Sequence, residues 1–433
     1  MNSFLKNTSI LVNVLFFTLM LIIVGCRKEK KNAPPIITVS LPQAEITLNA
    51  IDSVRVKTSI NDDFGPLTIS IYITDAQMQV HTAKLIRTTT ENKIALDELY
   101  FFSNKYLQSG IYYLVVNAND GKNNVNNFIK IHILEIPKIL LSVYVGVKDG
   151  TGTRIFCSDS LMNFNELGFI SSNIISGCIN SYPQQIYFLT DDGSFICYSL
   201  SNFQFDWQKT GLFLPEHLKK GEIKEFSFLT YVTNGNGFIY GYDNTGAVRK
   251  LYAINNGAPY NFNFIDNYLL ASVEDNGTNN KSVQAYLQSG GLLTKYITNF
   301  LPQTILPYSN KTAMVFAQNQ SNVELYTYNF EINYLHSFGN SYSGNINCVI
   351  ETPDNQYLLA VGNEINLIEK VYGNSMAYAS GKRADILKFE NLSGLLYATD
   401  SNNITIYNYP TSSINYSYTF NNKILFFEFR YNK

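Results

Sequence analysis

Charge, tryptophan and helical periodicity are all scarce in this chain. Of its 433 residues 15% are charged, the formal net charge is -2 and Trp occurs once. So neutral a chain lacks the basic surface that captures a phosphate backbone, which excludes nucleic acid as a partner. No long stretch sustains a 3.6-residue apolar period, and no apolar run after the first 24 residues is a candidate membrane span. Catalytic motifs are missing too. The four histidines, His81, His132, His217 and His336, sit on separate segments without an HExxH-like pairing, and each is read as a surface or strand residue. There is no Gly-rich phosphate loop opening a helix and no GxSxG elbow. Besides Cys26, the cysteines Cys157, Cys178, Cys197 and Cys348 match no zinc spacing. Three lie close together, so an oxidising compartment permits one disulfide, but each sits in an apolar strand pattern that favours a buried free thiol.

What is present begins at the N-terminus. Lys6 precedes an apolar run from Ile10 to Val24 that ends Ile23-Val24-Gly25-Cys26. A basic start, a short apolar core and small residues at the break make a secretory signal. The run is shorter than the roughly 20 residues of a span and is interrupted by Asn13 and Thr18. Cys26 at the break resembles the lipobox of bacterial lipoproteins. That resemblance implies removal of residues 1–25, acylation of Cys26 and a membrane partner reached through lipid. With each buried CH₂ contributing about 0.8 kcal/mol, two or three acyl chains anchor firmly where one binds only reversibly.

Residues 26–35 then form a tether, Arg27-Lys28-Glu29-Lys30-Lys31-Asn32-Ala33-Pro34-Pro35 after the lipidated Cys26. The chain resembles the lipoproteins of the Bacteroidota, in which acidic residues after the Cys accompany surface export. Here Glu29 is the only acid, which favours the periplasmic face of the outer membrane.

Tyr (31) and Phe (29) are abundant and β-branched residues frequent, so an all-β chain is expected. Residues 36–137 are read as one small β domain with strands at Ile36-Thr38-Ser40, Ser53-Arg55-Lys57, Leu67-Ser70-Tyr72 and Lys84-Arg87. The strand Gly110 to Asn119 enters an Asp120-Gly121 turn answered by Phe128 to Ile133. That hairpin looks like the end of an immunoglobulin-like module of the polycystic-kidney or cadherin type, which implies Tyr112 and Leu114 pointing into a sandwich. Cadherin-type modules place calcium on such acids as Asn61-Asp62-Asp63 and Asn119-Asp120. No metal-loop spacing is complete, however, and turn chemistry explains them.

Residues 138–433 spell one hairpin seven times: Val143–Gly146 with Arg154–Cys157, Ile186–Thr190 with Phe195–Tyr198, Tyr231–Asn234 with Phe238–Tyr242, Tyr268–Ala271 with Val283–Tyr286, Ala313–Phe316 with Val323–Tyr326, Tyr357–Ala360 with Ile365–Ile368, and Leu395–Thr399 with Ile404–Tyr407. The period of about 42 residues is that of a four-stranded propeller blade. A short strand leads most hairpins, as Glu225–Phe228 and Ile386–Phe389 do, but the first has none, while Leu425–Phe429 at the end has no hairpin to lead. The expected fold is therefore an immunoglobulin-like sandwich followed by a seven-bladed β-propeller closed by the C-terminal strand. Tyr231-Val232-Thr233-Asn234 resembles the YVTN repeat. Asp192-Gly193 to Trp207 resembles a quinoprotein-type blade, but no adjacent Cys pair or acid set supports a quinone, so no cofactor and no metal is assigned.

A propeller can gather acids from distant repeats, and Glu225, Asp266, Glu351, Asp385 and Glu428 lie in or near the inner strands. They are expected to be solvated at the channel mouth. Exposed Tyr and Asn suit a glycan, a peptide or an envelope protein, so the function expected is a lipid-anchored binding or scaffold protein that presents its propeller to such a partner. The alternative is an envelope polysaccharide hydrolase or lyase acting from the channel.

Overall fold

The structure is a computed structural model that describes residues 32–159, 162–211, 221–234, 237–254, 257–275, 278 and 280–433. The signal segment, Cys26, most of the tether and His217 lie outside the described residues. All regular structure in the described residues is β-strand, and the chain divides between Pro137 and Lys138 into two compact units.

The first unit contains two sheets. One has the strand order Ile36–Leu41, Ser53–Asn61, Lys93–Phe101, and the other Ile46–Asn49, Asn124–Leu134, Gly110–Asn119, Leu67–Thr74, Leu85–Thr89. Alternation along Ser53–Asn61 turns Val54, Val56 and Ile60 inward while Arg55 stays outside and pairs with Asp97 at 2.6 Å. The inward residues meet Ile69, Ile71, Leu114, Val116 and Ile131 in one core, with Tyr112 packed at its border. Two strands escape the sequence reading: Ile46–Asn49, which is too short to show a period, and Lys93–Phe101, whose outward charges mask its apolar face.

The two acidic turns have different chemistry. Asp120 caps its own turn, accepting from the Lys122 N–H at 2.7 Å and the Asn123 N–H at 2.5 Å. Burial alone would raise its pKa, but these bonds hold it down to about 2. Asp62 is buried with no well-aligned donor to either carboxylate oxygen. Its burial, with Asp120 and Asp63 nearby, pushes its pKa up against the opposing pull of the Asp63 and Phe64 backbone.

The second unit is a β-propeller of four-stranded antiparallel sheets, seven of them among the described residues. Sheets two to seven run outward in chain order over 174–209, 223–253, 257–298, 301–343, 346–380 and 386–419. Sheet one has the order Phe164–Ile170, Gly152–Ser158, Leu140–Asp149, Ile424–Tyr431, so the chain's last strand lies innermost against the first strand of this unit, with Glu428 opposite Tyr144. The inner strand Ile424–Tyr431 also packs on the inner strands of sheets two and seven; the other inner strands pack on one another in chain order, except that Gly257–Ile265 of sheet four packs on the second and third strands of sheet three.

The middle strands are covered by neighbouring sheets on both faces and read as continuous apolar runs, as in Gln185–Thr190, where every residue is buried. Outer strands such as Ser413–Thr419 are largely exposed. Side chains also tie sheet to sheet. Asn263 donates to the Ile305 carbonyl at 3.0 Å, Gln318 accepts from the Ile346 N–H at 3.0 Å, and Tyr409 donates to Gln356 at 2.7 Å.

The lone Trp makes one such tie. Trp207, on the outer strand of sheet two, donates to the Asn244 carbonyl in sheet three at 3.1 Å and packs among Tyr187, Phe195 and Tyr242. Its ring lies against Gly246, whose φ is +78° and whose absent Cβ would fall 2.9 Å from the indole. Asp243 rigidifies this turn through the Thr245 and Ala247 N–H groups and Arg249, which hold its carboxyl far below the ordinary range despite its burial. Trp207→Ala and Gly246→Ala should each destabilise the unit, by about 2–3 kcal/mol and about 1–2 kcal/mol respectively. Because they disrupt one contact, the double variant should lose less than the sum in chemical denaturation followed by circular dichroism.

Candidate functional site

One register position recurs on the inner strands. In five sheets a buried tyrosine of the second strand faces a residue of the first: Tyr144 faces Glu428, Tyr187 Cys178, Tyr231 Lys224, Tyr357 Glu351 and Tyr397 Lys388. The apolar body of each tyrosine fills the space between sheets, and four of the five facing positions carry charge where the inner strands converge.

Those charges pair. Lys388 of sheet seven reaches Glu428 of sheet one at 2.7 Å, and Lys224 reaches Glu222 at 2.9 Å. Lys370 pairs with Glu351 and lies 5.0 Å from the centre of the Tyr357 ring. Lys388 is surrounded by protein, although water still reaches about a third of its side chain, 35%. Burial alone would lower its pKa, but Glu428, helped by Glu222, more than offsets that and raises it. Cys178 lies in the same neighbourhood, and its burial beside Glu428 and Glu225 pushes the thiol well up. Glu225 is open to water yet crowded by protein. Its pKa is raised by that crowding and by Glu428, against the pull of Lys138.

Three of the five acids expected at a solvated mouth are arranged otherwise, while Glu225 and Asp266 are exposed as expected. Glu351 and Glu428 are ion-paired, and Asp385 is held by Arg383 at 2.8 Å. A carboxylate withdrawn from water needs a counter-charge, which explains the correction. Asp266 sits in the turn between two strands of sheet four and accepts from the Lys311 N–H at 3.4 Å, away from the others. Glu225 and Glu428 are the acids from that group that the fold brings together.

Two clefts open between neighbouring sheets. One, of about 490 Å³ between sheets seven and one, is lined by Phe156, Tyr418 and Phe420 with Lys148, Asp149, Arg154 and Glu166 at its rim. Three of its four charges satisfy one another, Arg154 bridging Asp149 at 2.6 Å and Glu166 at 2.9 Å. The other, of about 610 Å³ between sheets four and five, has Tyr296, Phe300 and Tyr326 with Asn280, Asn299 and Ser337, and no charged residue lines it among the described residues. Sequence reasoning missed both clefts.

The remaining candidates lie apart. His81 bonds Asp75 at 2.8 Å, and His336 stacks on Tyr334 on an exposed outer strand. His132 is half-buried within a strand of the first unit. Cys157, Cys178, Cys197 and Cys348 are free thiols. Cys178 and Cys197 both lie level with Tyr187 on opposite neighbouring strands. Two strand spacings, about 9.5 Å, separate them, too far for a disulfide. No group of three or more His, Cys, Asp or Glu able to hold a metal occurs among the described residues.

No family model and no curated protein matches this chain. Among solved structures it is similar to the WD40 domain of Neurospora crassa Pan2, with a TM-score of 0.44 and 8% identity over 60% of this chain and 78% of that one.

Lys388→Met strands Glu428 without its partner. It should cost about 2 kcal/mol, below the 3–5 kcal/mol of a fully buried pair because water reaches this one, and Lys388→Met with Glu428→Leu should recover most of it. Glu225 has the opposite sign. Its folded pKa lies above the ordinary 4.5, so ionisation weakens the fold as pH rises from about 4.5 through the raised value. Glu225→Gln should leave melting unchanged at pH 3.5 and raise the melting temperature at pH 8; an equal shift at both pH values would contradict the assignment.

Proposed function

We propose that this chain is a lipid-anchored binding or scaffold protein of the cell envelope, held through acylated Cys26 at the periplasmic face of the outer membrane. In this reading an immunoglobulin-like sandwich acts as a spacer for a propeller of YVTN or quinoprotein-like repeats. The propeller has seven blades, and the strand Ile424–Tyr431 closes the ring. The seven four-stranded sheets, the pairing of the final strand with Leu140–Asp149 and the order of packing around the centre support this reading.

The observation that carries binding over catalysis is the pairing of three acids in or beside the inner strands. Glu222, Glu351 and Glu428 each face a lysine within the same unit, so these charges serve the fold. The partner is a glycan or an envelope protein met by the loops and clefts between sheets. A second reading, an envelope polysaccharide hydrolase or lyase, draws on Glu225, whose raised pKa beside Glu428 suits a general acid.

Capture from detergent-solubilised envelopes with the full-length chain, together with a glycan array, tests the binding reading. Enrichment of a defined envelope protein or sugar is expected, and recovery of neither contradicts it. Sugar release that depends on Glu225 would support the hydrolase instead. Cys26→Ser should move the protein from the membrane to the soluble fraction, and continued membrane retention would contradict lipid anchoring.

A further inference from the structure

We propose that the neutral cleft between sheets four and five is a binding subsite for uncharged sugar, taking one or two hexose units of a glycan; this rests on the binding reading above. The cleft holds about 610 Å³, within the range of small-molecule sites. Its floor is a rigid aromatic pair. Phe300 stacks on Tyr326 with ring centres 4.4 Å apart and planes 16° from parallel. The Tyr326 hydroxyl donates to Glu324 at 2.5 Å, and Glu324 is held in turn by the Asn319 amide at 3.1 Å. That floor is fixed before any ligand arrives, which lowers the entropic cost of binding.

The rim groups remain unused by the fold. The side-chain amides of Asn280 and Asn299 and the Tyr296 hydroxyl line the cleft and make no hydrogen bond among the described residues. An amide and a phenol each offer both donor and acceptor, which is what a sugar hydroxyl requires. The apolar faces of a hexose ring match aromatic side chains.

The cleft between sheets seven and one provides an internal comparison. It has a similar aromatic frame, with Phe420 and Phe156 at 5.3 Å, but its rim is charged, with Arg154 held between Asp149 and Glu166. The neutral cleft offers a charged ligand no counter-ion, and a purely hydrocarbon ligand would cover its amides without bonding them, a desolvation cost with no return. An uncharged polyol with apolar faces fits both constraints.

The test uses the full-length protein in detergent and calorimetric titration with uncharged gluco-, manno- and galacto-oligosaccharides, with oligogalacturonate as the charged control. At least one neutral oligosaccharide should bind and oligogalacturonate should not. Asn299→Ala and Tyr296→Ala should weaken binding at least tenfold, Tyr296→Phe less than Tyr296→Ala, and Arg154→Ala in the other cleft not at all. Trp207 fluorescence melts check that each variant folds. Affinity for neutral sugar that survives all the variants of Asn299 and Tyr296 would overturn the site, as would exclusive binding of oligogalacturonate. If neutral sugars fail to bind while an envelope protein is still captured, the cleft assignment falls and the binding reading stands; if nothing is bound or captured, both fall.

Discussion

The ladder between Ile424–Tyr431 and Leu140–Asp149 is the constraint from which the rest of the larger unit follows. Without it, sheet one ends at Leu140–Asp149 with an open row of backbone donors and acceptors, and the inner strands of sheets two and seven lose the neighbour on which they pack. Ile424, Phe426, Phe427 and Phe429 are all buried by this arrangement. At about 1.5–3 kcal/mol for each such side chain, the strand contributes on the scale of a whole domain's net stability.

The same strand carries Glu428, so the topology that completes sheet one also delivers the carboxylate that Lys388 needs. Neither group is tolerable alone where the inner strands converge. Each charge is accommodated because two segments adjacent in space, though separate in sequence, supply opposite signs. Among the described residues Glu225 is offset by Lys138 without a direct ion pair, and burial with Glu428 outweighs that pull and raises its pKa.

Much of the strand pattern was legible from residues alone because the middle strands are buried on both faces, and Asn, Asp and Gly mark the turns between them. Tyr357–Ala360 and Ile365–Ile368, for example, lie inside the strands Gln356–Val361 and Glu364–Glu369. Lys93–Phe101 was not legible, since Asp97 and Glu98 look like loop residues until Arg55 and Arg87 are placed beside them. The site was less readable still. The acids of the inner strands could be named from their positions, but their lysine partners come from other strands or turns, and sequence spacing carries no sign of Lys370 meeting Glu351. The clefts depend on outer-strand residues such as Tyr296 and on Asn299 in the following turn, whose pattern is indistinguishable from ordinary solvent-facing polarity until the neighbouring sheet supplies the other wall.

The most direct test of the account is to end the chain after Asn422 and follow unfolding through Trp207, which lies in sheet two and outside the deleted strand. Removing Ile424–Tyr431 should abolish the cooperative transition of the larger unit, or lower its midpoint by more than 10 °C, in line with the loss of several buried aromatic side chains. An unchanged transition in the truncated protein would contradict it.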